Sequence, residues 1–215
     1  MSKNFKGYMG DQIGKLGTAV GRRWKRKMVY ASYQGRVRNP RTDSQTLVRA
    51  RFSMLTEVAA IFQSAARKGL HHMAESRQTT ECNCFVTLNY NKVNGTTPGA
   101  LTLDPSTLVT SFGHLTGVVF NSNIDVTSVP NTVGVTVSDG NTSAQDASTS
   151  DSVYVFVYCP DANGGVLSVA AARAAGKIEV PVPASWSGLD VHVYGFTVGK
   201  TKASPTDYLG HATLN

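Results

Sequence analysis

The chain has 215 residues, 41% hydrophobic and 16% charged against roughly 25% charged in average soluble proteins, and a formal net charge of +7. That length holds one ordinary domain or two small ones with a real core, and the composition excludes collagen-like, coiled-coil and disordered classes. No run approaches the ~18 apolar residues of a membrane span, and Cys82, Cys84 and Cys159 are too few and too oddly spaced for a disulfide framework, which fits a reducing compartment.

In chain order, residues 1–21 come first, punctuated by Gly7, Gly10, Gly14, Gly17 and Gly21. Glycine at that density is costly inside a helix and reads as an extended or looped arm. The same stretch has no apolar segment of signal-peptide length, so secretion is not expected. Gly17–Tyr33 then places Trp24, Met28, Val29, Tyr30 and Tyr33 around a cationic centre. Those β-formers predict a β-hairpin with its turn near Lys25–Arg26.

A helix start follows. Thr42 is placed to cap and Gln45, three residues on, to reach back and complete a capping box. Leu47, Met54, Leu55, Val58, Ile61, Phe62 and Ala65 recur at helical spacing, and Arg67-Lys68 before Gly69 is the chemistry of a helix end. This predicts a long amphipathic helix over 43–68, its apolar face serving as core over the hairpin or one side of a sheet. Residues 76–92 read as a second helix, although Phe85, Val86, Thr87, Leu88 and Tyr90 are equally compatible with a strand.

Beyond residue 100 the texture changes to short β-branched or aromatic runs: Leu108–Ser111, Val133–Val137, Val153–Tyr158, Val166–Ala170, Lys177–Val182 and Val191–Val198. Turn-rich stretches at 138–141, 160–165 and 186–188 separate them, and Gly140–Asp151 reads as an exposed excursion. Within 190–196 the alternation puts Val191 and Val193 on one face. Frequent turns between short strands predict an immunoglobulin-like antiparallel β-sandwich. The expected fold is therefore α+β: a basic arm, hairpin and helical region over 1–95, and an Ig-like sandwich over 96–215.

Most candidate chemistry has a plainer reading. Gly14-Lys15 is followed by Leu16 rather than Ser or Thr, so no phosphate loop is indicated. His71-His72 has no acidic or cysteine partner at ligand spacing, and Cys82-Asn83-Cys84 lacks a second pair, so no metal site is expected. His114, His192 and His211 stand far apart with no nucleophile elbow. Asp139, Asp146, Asp151 and Asp161 lack the spacing of a calcium loop and read as solvated turns. No enzymatic activity and no cofactor are expected.

The charge is unevenly spread. Residues 1–80 hold 16 Lys and Arg against 4 Asp and Glu, a net +12, and the remainder carries −5. The densest part is Arg22, Arg23, Trp24, Lys25, Arg26 and Lys27, followed by Arg36, Arg38 and Arg41. A cationic hairpin with an interleaved Trp suits the phosphates and bases of nucleic acid, or acidic patches on a neighbouring copy.

One resemblance spans nearly the whole chain. The run Gly14-Lys15-Leu16-Gly17, Val20-Gly21 and Trp24-Lys25, then Asn39-Pro40-Arg41-Thr42, Gln45 and Arg49-Ala50-Arg51-Phe52, is similar to an uncharacterised family from Bacteroidetes genomes and their phages. Asp151-Ser152-Val153, Val157-Tyr158-Cys159-Pro160-Asp161, Ala172-Arg173, Val182-Pro183, Gly188 and Val191-His192-Val193-Tyr194 extend it. The resemblance implies a small protein of phage or prophage origin and no activity. Where that family usually has Gly after Trp-Lys, this chain has Arg26, which makes the hairpin tip more cationic.

The expected function is a phage virion structural protein of the capsid surface, head–tail connector or tail, forming homo-oligomers through its N-terminal arm. Its expected partners are other virion proteins, with nucleic acid a candidate for the basic hairpin and no membrane, in a virion assembled in the host cytoplasm. The alternative is a cytoplasmic nucleic-acid-binding protein using the hairpin as a β-ribbon. A carbohydrate- or cell-surface-binding sandwich rests on fold analogy, with Trp186 its one candidate platform.

Overall fold

The computed structural model describes residues 3–4, 12–24, 27–35 and 41–214. The chain divides into two compact units, Met1–Gln45 and Thr46–Asn215.

The first unit holds four antiparallel strands in sequence order: β1 (Lys3–Asn4), β2 (Gln12–Leu16), β3 (Ala19–Trp24) and β4 (Lys27–Ser32). The predicted hairpin is β3–β4, paired from Ala19↔Ser32 to Trp24↔Lys27. The glycine-rich stretch expected as an arm is in part a strand, because β2 pairs with β3 at Gly14↔Gly21. A Cβ on Gly21 would fall 2.0 Å from the Gln12 carbonyl oxygen, so this crossing admits only glycine. Those glycines make the strands approach closely.

The second unit begins with helices. α1 (Asp43–Ile61), whose first turn precedes the unit boundary, and α2 (Gln63–Gly69) stand where a single helix was expected over 43–68; α3 (His71–Ser76) follows, and α4 (Glu81–Asn89) is a helix within 76–92. Thr42 Oγ1 accepts from the Gln45 amide at 3.4 Å, as a cap should. The breaks fall at Phe62 and Leu70, both fully buried. Backbone bonds run through them, from Phe62 N to Val58 O and from Leu70 N to Ala66 O, so helical hydrogen bonding continues through both breaks. Gly69 is the last residue of α2 and not a cap beyond it. A Cβ there would meet the Thr110 carbonyl and Ser111 at 2.6 Å, so the glycine lets the connector pass.

After a short hairpin of β5 (Val93–Asn94) and β6 (Thr102–Leu103) come β7 (Val119–Asp125), β8 (Thr132–Asp139), β9 (Ser152–Cys159), β10 (Gly164–Leu167), β11 (Ala171–Ala172), β12 (Lys177–Pro181), β13 (Asp190–Val198) and β14 (Asp207–Thr213). One sheet runs β10-β9-β13-β14, with β11 also on β9, and the other runs β12-β8-β7. The strand expected at Leu108–Ser111 is instead a connector whose backbone is held by side chains. Asn89 Nδ2 donates to Val109 O and its Oδ1 accepts from Val109 N, while Thr206 Oγ1 accepts from the amides of Thr110 and Ser111.

The register of β9 builds the layers. Val153, Val155, Val157 and Cys159 alternate with Tyr154, Phe156 and Tyr158, and successive side chains leave opposite faces of a strand. The valine face joins Val191 and Val193 of β13 against Val133, Val135, Ile178 and Val180 of the smaller sheet. The aromatic face joins Tyr194 and Phe196 against Leu55, Phe62, Leu70 and Phe85 of the helices. Phe62 is the hub, its ring centroid 4.7 to 5.5 Å from those of Phe85, Phe156, Tyr158 and Tyr194. The unit is thus mixed α/β, with helices on one face of the larger antiparallel sheet and the smaller sheet on the other, an arrangement consistent with a β-sandwich. Among the described residues no helix is long and apolar enough to cross a membrane.

Candidate functional site

Alternation along β3 sorts the predicted basic residues. Arg22 and Trp24 share one face, and the pairings Arg22↔Val29 and Trp24↔Lys27 bring Val29 and Lys27 onto it. Arg23, opposite Met28, leaves the other face. Arg22, Arg23, Trp24 and Lys27 are all exposed. Arg41 is exposed immediately ahead of α1. Lys25, Arg26, Arg36 and Arg38 lie outside the described residues.

The surface around these cations is apolar to a degree that the sequence reading missed. Leu16, Trp24, Tyr30 and Tyr33 are each 48 to 54% exposed. Lys15 places its ammonium 3.9 Å from the Tyr33 ring centroid, a cation–π contact. Of ten exposed large hydrophobic side chains among the described residues, these four belong to the first unit. The first unit holds 11 Lys and Arg against 2 Asp and Glu, a net +9, and the second is left at −2. Within the first unit the described strands form one layer, with no second layer of its own to bury either face.

The other candidates resolve differently. The acids read as solvated turns include one that is not: Asp151 is buried, its Oδ2 accepting from Arg173 Nε at 2.8 Å with 3% of each side chain exposed. Arg173 also donates to the carbonyls of Gly140 and Thr116 and so ties down the ends of the excursion, whose residues 141–150 are exposed or half-buried. His71 gains acidic partners through the fold, Glu81 at 3.2 Å and Glu75 at 3.8 Å. His192 and His211, distant in sequence, face each other across β13 and β14.

Around His192 the hydrogen bonds tie the sheet to the connector. His192 Nδ1 lies 2.9 Å from Tyr208 Oη, and Tyr194 Oη donates to Pro105 O at 2.7 Å. Burial, then the neighbouring His211, pushes the His192 imidazole below its usual range, against Asp104 and Asp190. Burial also raises the phenols of Tyr158, Tyr194 and Tyr208. The cluster is therefore one in which desolvation disfavours the charged forms of His192, Tyr158, Tyr194 and Tyr208. Its signal was the β13–β14 register, which no local pattern carries.

Among the described residues no group of three or more His, Cys, Asp or Glu side chains is placed to hold a metal ion. Trp186, the one candidate sugar platform, is 5% exposed and packs with the valine core, so the carbohydrate reading loses its residue.

Comparison with the curated proteins gives no match. A family model described as "Family of unknown function (DUF6266)" matches residues 10–210, which takes in β2 through most of β14. The hairpin unit and the helix-backed sheets are thus parts of one family pattern, and the chain belongs to that family of unknown function.

Proposed function

We propose that the protein is a non-enzymatic structural component of a phage virion, assembling into homo-oligomers through its N-terminal sheet. The observation that carries this reading is the single-layered first unit, with Leu16, Trp24, Tyr30 and Tyr33 half exposed. A lone sheet with apolar side chains on its surface gains stability only when another layer covers it. A second copy supplies complementary charge, since a +9 unit meets a −2 unit in every heterologous contact. The phage context rests on the resemblance described above, with assembly in the host cytoplasm. The sandwich is read as immunoglobulin-like because short antiparallel strands build two sheets, of five and three strands, that share a valine core.

The reading is tested by mass photometry of the full chain and by mass spectrometry of purified particles. Discrete oligomers and incorporation are expected; a monomer at micromolar concentration, absent from particles, would sink the proposal.

A second reading, nucleic-acid binding, is favoured by one specific arrangement: Trp24 shares a face with Arg22 and Lys27. Stacking by the indole between two cations would grip a single strand or a groove edge. Affinity should then fall steeply with salt as neutralised phosphates release counterions. Replacing Arg22, Arg23, Lys25, Arg26 and Lys27 with Ser should abolish both affinity and salt slope. Wild-type protein that retards no DNA at low salt rules this reading out.

A further inference from the structure

Within the second unit, α3, the connector at 112–114 and the turn at 199–203 enclose a cleft of about 350 Å³. Its walls are fastened to one another. His72 Nε2 donates to Gly199 O at 3.1 Å, Phe112 N donates to Gly69 O at 3.3 Å, and Ser111 Oγ donates to Ser204 O at 2.6 Å. Gly199 N donates to Lys202 O at 2.8 Å and closes the turn. The backbone walls of the cleft are therefore preorganised, and the side chains of Arg77 and Lys202 reach over them from exposed positions.

Its lining is chemically one-sided. Arg77, Lys202, His72 and His114 line it together with the hydroxyl residues Ser76 and Thr201, and no Asp or Glu is among the lining residues. In a unit whose net charge is −2, the cleft thus carries two of the ten Lys and Arg and none of the twelve Asp and Glu. A guanidinium, an ammonium and two hydroxyls form a donor set for a tetrahedral oxyanion. Phe112, 43% exposed with its ring 6.3 Å from that of His114, adds an apolar wall beside the donors. The volume lies at the small end of the range for small-molecule sites.

We infer that this cleft binds a small phosphate monoester, its phosphate held by Arg77 and Lys202 and its organic group lying on Phe112. This site is independent of the N-terminal sheet and of the assembly reading.

The test is a titration of the full-length chain followed through the imidazole resonances of His72 and His114, with phenyl phosphate, inorganic phosphate and benzoate as probes. Phenyl phosphate should shift both resonances and bind about tenfold tighter than inorganic phosphate or benzoate. Arg77→Gln and Lys202→Gln, both at exposed positions, should each weaken it about tenfold or more with an unchanged thermal midpoint. Phe112→Ser should bring phenyl phosphate down to the affinity of inorganic phosphate. Absence of any shift at millimolar phenyl phosphate, equal binding of all three probes, or undiminished binding in the Arg77→Gln/Lys202→Gln double variant would overturn the inference.

Discussion

Arg173 and Asp151 stand 22 positions apart and meet in a contact with 3% of each side chain exposed. The guanidinium satisfies three acceptors: the Asp151 carboxylate and the carbonyls of Gly140 and Thr116. Removing one partner of such a pair strands the other in a poorly solvating site. Arg173→Met is therefore expected to destabilise the fold by about 3–5 kcal/mol, and Lys to restore little because an ammonium cannot fork to three acceptors. Urea unfolding checks this, and a midpoint equal to wild type refutes it. Asp125 makes a pH prediction. Hydrogen bonds from Ser128, with help from Lys177 and Thr127, hold its carboxyl well below the usual range. A carboxylate ionised more readily in the folded chain stabilises above the unfolded value near 4, and that stabilisation drains away as pH falls towards the folded value. Asp125→Asn should be less stable than wild type at pH 6, with the gap narrowing on acidification; a constant gap contradicts this. Thr127 and Ser128 form a local turn on Asp125, whereas Arg173–Asp151 and Lys177–Asp125 are distant in sequence and no local motif shows them.

At the scale of elements, legibility tracked how locally a pattern is written. β9 and β13 were readable because they are central strands buried on both faces, with continuous runs such as Val153–Cys159. β7 and β14 were not, because Asn121, Asn123, Asp207, Gly210 and His211 interrupt their apolar residues at the edges of their sheets. The break at Phe62 was invisible because apolar residues keep their helical spacing through it. Phe62→Ala should cost about 3–5 kcal/mol, whereas Val169→Ala, at 86% exposure, should change stability by less than about 0.5 kcal/mol. Equal effects in denaturant would refute the aromatic hub. Gly69→Ala should destabilise through its collision with Thr110 and Ser111, and a neutral result would mean that the connector yields. Of the candidate surface, the cations were legible as a contiguous run, and strand alternation then sorted Arg22 and Trp24 from Arg23. The exposed Leu16, Tyr30 and Tyr33 were not, since exposure depends on the absence of a covering layer.

For the whole molecule, the charge division moves with the structure. The sequence split at residue 80 into +12 and −5 becomes +9 and −2 at the unit boundary after Gln45. Several basic residues of the helical stretch thus belong with the sheets they cover, and Arg77 among them lines the cleft. The basicity that remains is concentrated in the single-layered unit, where it lies among half-exposed aromatic side chains. On the proposed reading, that combination is a surface completed by association. The most direct test is the mass of the nucleic-acid-free full-length chain by light scattering at micromolar concentration, beside a variant carrying Leu16→Ser, Trp24→Ser and Tyr30→Ser. The account predicts a discrete multiple of 22.9 kDa for the wild type and a folded monomer for the variant. A wild-type mass of one chain, or an oligomer untouched by the three substitutions, would contradict it.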